Sequence, residues 1–275
     1  MAEVSIVQCD CGLVITSPRP TVNEIGDHYP PTYYSYTPTT PSIARQVVDK
    51  VKESKGGYPT KDGFFARALW RSSAAILQNL FLFYLPYQGE RLLEIGCGSG
   101  SNLRWAKEHG WHVYGLELGE RTVAEARRQG FTNVRCGNIE DVDFPPDFFD
   151  AVLLNHTLEH LYSPTATITR SYQVLRTNGT LLVTVPKFDS WPRYASGKFW
   201  ANLDLPRHLH NFTQPVLVKL IRDAGLTIRE VRLSSRPISF YFTVRTLKRA
   251  RQLKRLFTRS QGTFSDVMLI VAEKT

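Results

Sequence analysis

The segment Leu92-Leu93-Glu94-Ile95-Gly96-Cys97-Gly98-Ser99-Gly100 joins an apolar run, a carboxylate and three alternating glycines. The apolar run reads as a strand, and Gly96, Gly98 and Gly100 let the chain turn sharply and approach a ligand with no β-carbon in the way. A nicotinamide-type loop would place its third glycine at position 101, which is Ser101, so the spacing suits a different cofactor. Glu117 ends the next apolar run, where a carboxylate can accept hydrogen bonds from both hydroxyls of a ribose.

Three other groupings offer chemistry. His156-Thr157-Leu158-Glu159-His160 fits the H-x-x-E-H pattern of a zinc peptidase helix. Such a site needs both histidines on one helical face and a further ligand downstream. His156 instead falls in a turn after a predicted strand, so Glu159 and His160 are expected to cap and orient the next loop. Pro206-Arg207-His208 places an imidazole, which titrates near neutral pH, where it is either a general base or a pin hydrogen-bonded to backbone. Arg207 either binds a phosphate or carboxylate or pairs with Asp204. Cys9 and Cys11 form a lone C-x-C, and since tetrahedral zinc needs four ligands, no metal is expected.

Alternating strands and helices are needed to position these residues. Strands are predicted over 91–95, 112–117, 133–136, 149–155, 180–185, 226–233 and 266–272, and helices over 102–110, 120–130, 164–175 and 215–224. Asn178-Gly179 supplies the turn into the fifth strand. Such alternation implies an α/β fold with a mostly parallel sheet covered on both faces, which binds ligands at the carboxyl ends of its strands. Residues 187–213, aromatic and histidine-rich with little periodicity, are too long for an ordinary connection and are read as a lid.

Residues 1–62 are rich in Pro, Tyr and Thr and read as an extended arm with one short helix from Ser42 to Glu53. Residues 63–88 carry Phe64, Phe65, Ala68, Leu69, Ile76, Leu77, Leu80 and Phe81 at helical spacing. They form an amphipathic helix packed over the catalytic domain or laid on a membrane surface. Residues 89–275 make the catalytic domain, with 234–264 as a basic insertion.

A chain of 275 residues, 42% hydrophobic and 21% charged, can bury a full core. The N-terminus lacks a secretory pattern and no uncharged apolar stretch reaches about 18 residues, so a cytoplasmic protein with reduced thiols is expected. The net charge of +9 is unevenly placed. Between Glu230 and Asp266 no acidic residue occurs, whereas Arg232, Arg236, Arg245, Lys248, Arg249, Arg251, Lys254, Arg255 and Arg259 all do. Such a block is either a solvated helix face or a surface for phosphates, nucleic acid or anionic lipid at the inner membrane face.

The series Glu94 to Gly100, Gly115-Leu116-Glu117, Gly137-Asn138-Ile139-Glu140-Asp141, Phe149-Asp150-Ala151-Val152, Leu158-Glu159-His160, Val174 to Gly179 and Val185-Pro186 resembles class I S-adenosylmethionine-dependent methyltransferases. The likeness runs over residues 89–233 and points to the bacterial group of ubiquinone-type and sugar O-methyltransferases. Trp200, Asp204, Pro206, Arg207, His208 and Phe212 resemble a W-x-x-x-D-x-P-R-H-x-x-x-F segment of that group. Cys9 to Val14 and Ser17 to Pro20 resemble half of a zinc ribbon, as a remnant.

The resemblance implies a Rossmann-like sheet of seven strands, mostly parallel with an antiparallel last strand, and S-adenosylmethionine as cofactor. Glu94 and the loop of Gly96, Cys97, Gly98 and Gly100 would hold its methionine half, and Glu117 with Leu118 the ribose end. Asn138 and Ile139 would flank the adenine, and Asn155 and His156 would line the pocket. His208 and Arg207 would be the catalytic candidates. The acceptor is expected to be a small molecule, a sugar or a lipid-linked compound. A nucleic-acid methyltransferase is the alternative, suggested by the pI of about 9.4. Against it, Asn155-His156-Thr157-Leu158 lacks the Asn/Asp-Pro-Pro-aromatic tetrad. A non-catalytic adaptor would be expected to lose the glycine loop and Glu117 first.

Overall fold

The computed structural model describes residues 4–30, 43–58, 85, 89–234 and 265–275. The predicted helix over residues 63–84 and the basic run beyond Ser234 lie outside them.

Seven strands form one sheet in the order β5-β4-β3-β6-β7-β10-β9: β3 (Arg91–Ile95), β4 (His112–Glu117), β5 (Val134–Cys136), β6 (Phe149–Asn155), β7 (Leu175–Pro186), β9 (Thr227–Ser234) and β10 (Val267–Glu273). β3 runs parallel to both β4 and β6, and β6 runs parallel to β7, while β10 lies antiparallel between β7 and β9. This is the predicted Rossmann-like sheet with its last strand reversed. Where the chain reverses order around β3, with β4 on one side and β6 on the other, the strand ends open a crevice.

Both faces of the sheet are covered, so its central strands carry continuous apolar runs, Leu92-Leu93 in β3 and Ala151 to Leu154 in β6. In β6, Ala151 and Leu153 pack into one layer and Val152 and Leu154 into the other, following the two-residue period of a strand. The first layer takes Leu103 and Ala106 from α2 (Ser101–Glu108) and Val123 and Ala126 from α3 (Glu120–Arg128). The second takes Ile168 and Val174 from α4 (Pro164–Val174) and Leu217 and Ile221 from α6 (Gln214–Asp223). Each fully buried Leu, Ile or Val side chain here is worth roughly 1.5–3 kcal/mol of transfer free energy.

Three regions differ from expectation. β7 already begins at Leu175 and runs through Asn178 and Gly179, where the sequence predicts a turn, with Asn178 left-handed at φ 64° and the pairing with β6 shifted between Phe149 and Ala151. Within the arm, β1 (Ser5–Gln8) and β2 (Val14–Ser17) make an antiparallel hairpin, followed later by α1 (Ile43–Gly56). The lid contains α5 (Trp191–Ser196), two 3-10 turns and β8 (His210–Asn211), which pairs with β2. Arm and lid therefore share a separate three-stranded sheet, β1-β2-β8.

Candidate functional site

The glycine loop leaves β3 at its carboxyl end and enters α2 with left-handed backbone at Gly96 (φ 72°) and Gly100 (φ 87°). A β-carbon on Gly96 would meet the Thr157 side chain at 2.5 Å, and one on Gly100 would meet Phe131 at 2.5 Å. The loop is thereby pressed against the turn that follows β6. The Gly96 and Cys97 amides donate to the Leu116 carbonyl at 2.8 and 3.0 Å. The Cys97 side chain is buried, its thiol is pushed well up by that burial, and it donates to the Gly98 carbonyl at 3.7 Å.

Glu117 ends β4 and faces this loop. Its Oε2 accepts from the Gly98 amide at 2.9 Å and its Oε1 from the Leu118 amide at 2.8 Å. Oε1 also accepts from the Gly119 amide at 3.3 Å, so Oε2, with one donor, keeps the clearer open acceptor site for a ribose hydroxyl. Leu118 beside it is 56% exposed, an apolar face at a strand end. Asn138 is exposed and donates to Asp141, whereas Ile139 is packed in the core and can offer only backbone to a ligand.

Glu94 is 2% exposed. Its Oε1 accepts from Asn102 Nδ2 at 2.7 Å, while Oε2 is buried with no hydrogen-bond partner. Burial pushes its pKa up to about 8, against the Asn102 bond and the positive field of Lys52. A ligand ammonium, which the methionine half of S-adenosylmethionine carries, would complete the orphaned carboxylate oxygen beside the glycine loop. The residues present fit that cofactor: Glu94 for the amine, the loop and the start of α2 for its carboxylate, and Glu117 for the ribose. Lys52, from α1, was not singled out by any sequence motif; it is buried and stands over the Trp105 ring.

Asn155 and His156 lie at the end of β6, half-buried, with His156 at φ 55° and its amide bonded to the Thr184 carbonyl. The following residues form a 3-10 turn, Leu158–His160, so the H-x-x-E-H pattern does not build a zinc peptidase helix. The expected capping role of Glu159 is not what the structure shows, since its carboxylate is 1% exposed and points inward. His156 Nδ1 stands 3.4 Å from Glu159 Oε1. Burial alone would raise the Glu159 pKa, but His156, His160 and His208 outweigh it and hold the group down to about 2.

The lid delivers His208 to this carboxylate. His208 is buried, and its Nδ1 lies 2.9 Å from the Asn202 carbonyl. A carbonyl only accepts, so Nδ1 carries the proton and Nε2 the lone pair. Burial, with the nearby His160, lowers the His208 pKa to about 4 and keeps the ring neutral. The pin and the open basic atom, separate alternatives in the sequence, coexist on opposite nitrogens. The His160 ring meets His208 edge-on at 4.6 Å between centroids. His160 Nδ1 likewise faces a carbonyl, that of Arg207 at 3.0 Å, with the Tyr29 hydroxyl at 3.1 Å.

Arg207 has the other of its two expected roles. Its Nε reaches both Asp204 oxygens at 3.1 Å and its Nη1 donates to the His28 carbonyl at 3.3 Å. The guanidinium therefore fastens lid to arm and is not aimed at an acceptor. Cys9 and Cys11 sit exposed at the hairpin turn.

The methyltransferase-domain family matches residues 67–231, more than half of the 275. A ubiquinone biosynthesis O-methyltransferase of Cereibacter sphaeroides is 32% identical over 155 residues, covering 52% of this chain and 62% of that protein. A malonyl-[acyl-carrier protein] O-methyltransferase of Enterobacter lignolyticus is 30% identical over 123 residues, covering 44% and 48%. The matched region thus spans less than two thirds of these relatives. A solved S-adenosylmethionine-dependent methyltransferase of Mesorhizobium loti superposes with a TM-score of 0.50 at 22% identity, over 77% of this chain and all of that one, a likeness of fold. The chain belongs to the methyltransferase-domain family.

Proposed function

We propose that the protein transfers the methyl group of S-adenosylmethionine to an oxygen of a small-molecule, sugar or lipid-linked acceptor. The single observation that carries the cofactor is the paired arrangement at neighbouring strand ends: Glu94 with an unpartnered buried oxygen, and Glu117 folded onto the Gly98 amide. The O-methyltransferase names of two relatives support oxygen as the acceptor atom.

Methyl transfer is an in-line displacement in which a new C–O bond forms as the S–CH3 bond breaks, leaving a neutral thioether. The protein aligns the two reactants and excludes water. A hydroxyl acceptor also loses a proton, and Glu159, His160 and His208 form the polar cluster at which it would do so. The cluster follows β6 directly and touches the glycine loop through Thr157.

Isothermal calorimetry with S-adenosylmethionine tests the cofactor, and Glu117→Ala is expected to weaken binding at least tenfold. Absence of binding, or binding indifferent to that substitution, would refute the reading. A mass-spectrometric screen of phenolic, sugar and quinol acceptors, scored for a gain of one methylene mass, tests the acceptor class. The basic run from Arg232 to Arg259 supports a cytoplasmic protein that touches anionic lipid, which co-sedimentation with acidic vesicles at low salt tests. Among the described residues no helix is long and apolar enough to cross a membrane.

A further inference from the structure

Glu159, His160 and His208 each offer one donor atom, and these atoms all lie within 4.8 Å of one another. They arrive from two distant parts of the chain, the turn after β6 and the lid, and the Leu209 amide bonded to the Glu159 carbonyl at 2.9 Å holds the two together. Neither oxygen of the buried Glu159 carboxylate has a hydrogen-bond donor in sound geometry. Both histidines turn Nδ1 toward a backbone carbonyl, Arg207 for one and Asn202 for the other. That arrangement leaves the Nε2 lone pairs free, and a second-layer Nδ1–H···O=C bond is the usual way a protein orients a metal-bound imidazole.

A general-base cluster would account for one open lone pair. It would not account for two imidazoles with donor atoms within 4.8 Å of a buried carboxylate whose nearest polar neighbour on its own turn is His156 Nδ1 at 3.4 Å. Two nitrogens and one carboxylate oxygen form a set that suits divalent zinc, manganese, iron or cobalt, and three protein ligands leave at least one position for another molecule. For bonds of about 2.1 Å at tetrahedral angles the donors would stand about 3.4 Å apart, a contraction that small side-chain rotations supply. The Asp204 carboxylate, 3.8 Å from His208 Nε2, lies at the margin of the set and stays bound to Arg207.

We propose that Glu159, His160 and His208 bind one divalent first-row transition-metal ion, and that the open position on this ion takes the acceptor's hydroxyl oxygen. The second half rests on the O-methylation reading; the first does not. On coordination the hydroxyl loses its proton to solvent, and the resulting metal-held oxygen supplies the electron pair for the new C–O bond. No oxidation change is involved. His208 is then a ligand, and the ion replaces it as the group that activates the acceptor.

The test begins with the full chain stripped by chelator and titrated with cobalt(II) chloride. Visible d–d absorption rising to one ion per chain is expected, with affinity reduced tenfold or more in each of His208→Gln, His160→Gln and Glu159→Gln. Circular dichroism and S-adenosylmethionine binding confirm that each variant is folded. X-ray absorption of the cobalt-loaded wild type, which needs no variant, is expected to show two imidazoles in the first coordination sphere. Failure to reach one ion per chain, full affinity in the folded variants, or a sphere without imidazole overturns the site. If the ion binds but methylation of a responsive acceptor is unchanged after chelation, the activating role is overturned and O-methylation stands. If no acceptor responds while cobalt binds as described, the O-methylation reading fails and the metal site stands.

Discussion

Glu94 ties cofactor binding to pH, and the size of the effect follows from its surroundings. With its pKa pushed up to about 8 by burial, most copies of the group are protonated at neutral pH in the cofactor-free protein. A cofactor ammonium placed against the buried, unpartnered Oε2 favours the carboxylate, so binding must expel a proton. At pH 7 roughly one copy in ten is ionised beforehand, which weakens apparent affinity about tenfold, or ~1.4 kcal/mol. At pH 6 the factor is about a hundred. The comparison is with Glu94→Gln, which keeps the acceptor for Asn102 but cannot ionise. The amine of the cofactor titrates in the same range, but it contributes equally to both proteins and cancels in the ratio of their affinities. Calorimetry from pH 6 to 9, repeated in buffers of different ionisation enthalpy, is expected to show wild-type affinity rising about tenfold per unit relative to the variant and levelling near pH 8, with about 0.9 proton released at pH 7. A flat ratio, or equal proton release by the two proteins, would refute the reasoning.

The same group affects stability without ligand. Its folded pKa lies above its unfolded value, so the folded state holds the extra proton between about pH 4.5 and 8 and stability falls across that window as pH rises; denaturation midpoints at pH 9 should be higher for Glu94→Gln than for wild type. Gly100→Ala puts a β-carbon 2.5 Å from Phe131 at a φ of 87°, which should cost about 1–3 kcal/mol in urea unfolding and weaken cofactor binding. Arg207→Lys removes a planar fork that grips both Asp204 oxygens, so limited proteolysis should cut the 187–213 segment faster while cofactor affinity stays within about twofold.

The sheet was readable because its strands bury both faces. Leu92-Leu93 and Val152-Leu153-Leu154 leave no polar face, and Gly89 and Gly96 mark where the first of these strands starts and stops. The placement of the residues proposed for the cofactor was readable for a related reason: Gly96 and Gly100 meet local backbone requirements, and Glu94 and Glu117 stand at strand ends fixed by the same pattern. The hairpin escaped because its pairing partners are remote. Ser5 to Ser17 is short and partly exposed, the nearby prolines suggest an irregular arm, and only His210 and Asn211 of the lid complete its sheet. The Glu159 cluster escaped for the same reason. H-x-x-E-H suggests a local helix, whereas the group that meets Glu159 and His160 is His208, brought in by the lid and fastened through Arg207, Asp204 and Thr16. Tyr29 had no motif at all, and its role rests on one hydroxyl near His160.

The hairpin's union with the lid imposes an order on synthesis. Thr16 Oγ1 donates to the His208 carbonyl across 192 positions of chain. At ribosomal rates of about 5–20 residues per second, β2 waits roughly 10–40 s for the strand that completes it. During that interval its outer edge is an open template for any other extended segment, with Cys9 and Cys11 exposed at the turn beside it. The histidine cluster closes only when β8 docks, after all but the last part of the sheet has been made. A nascent chain would thus have its glycine loop and Glu117 well before His208 joins Glu159 and His160. Growth conditions that slow elongation should lower soluble yield.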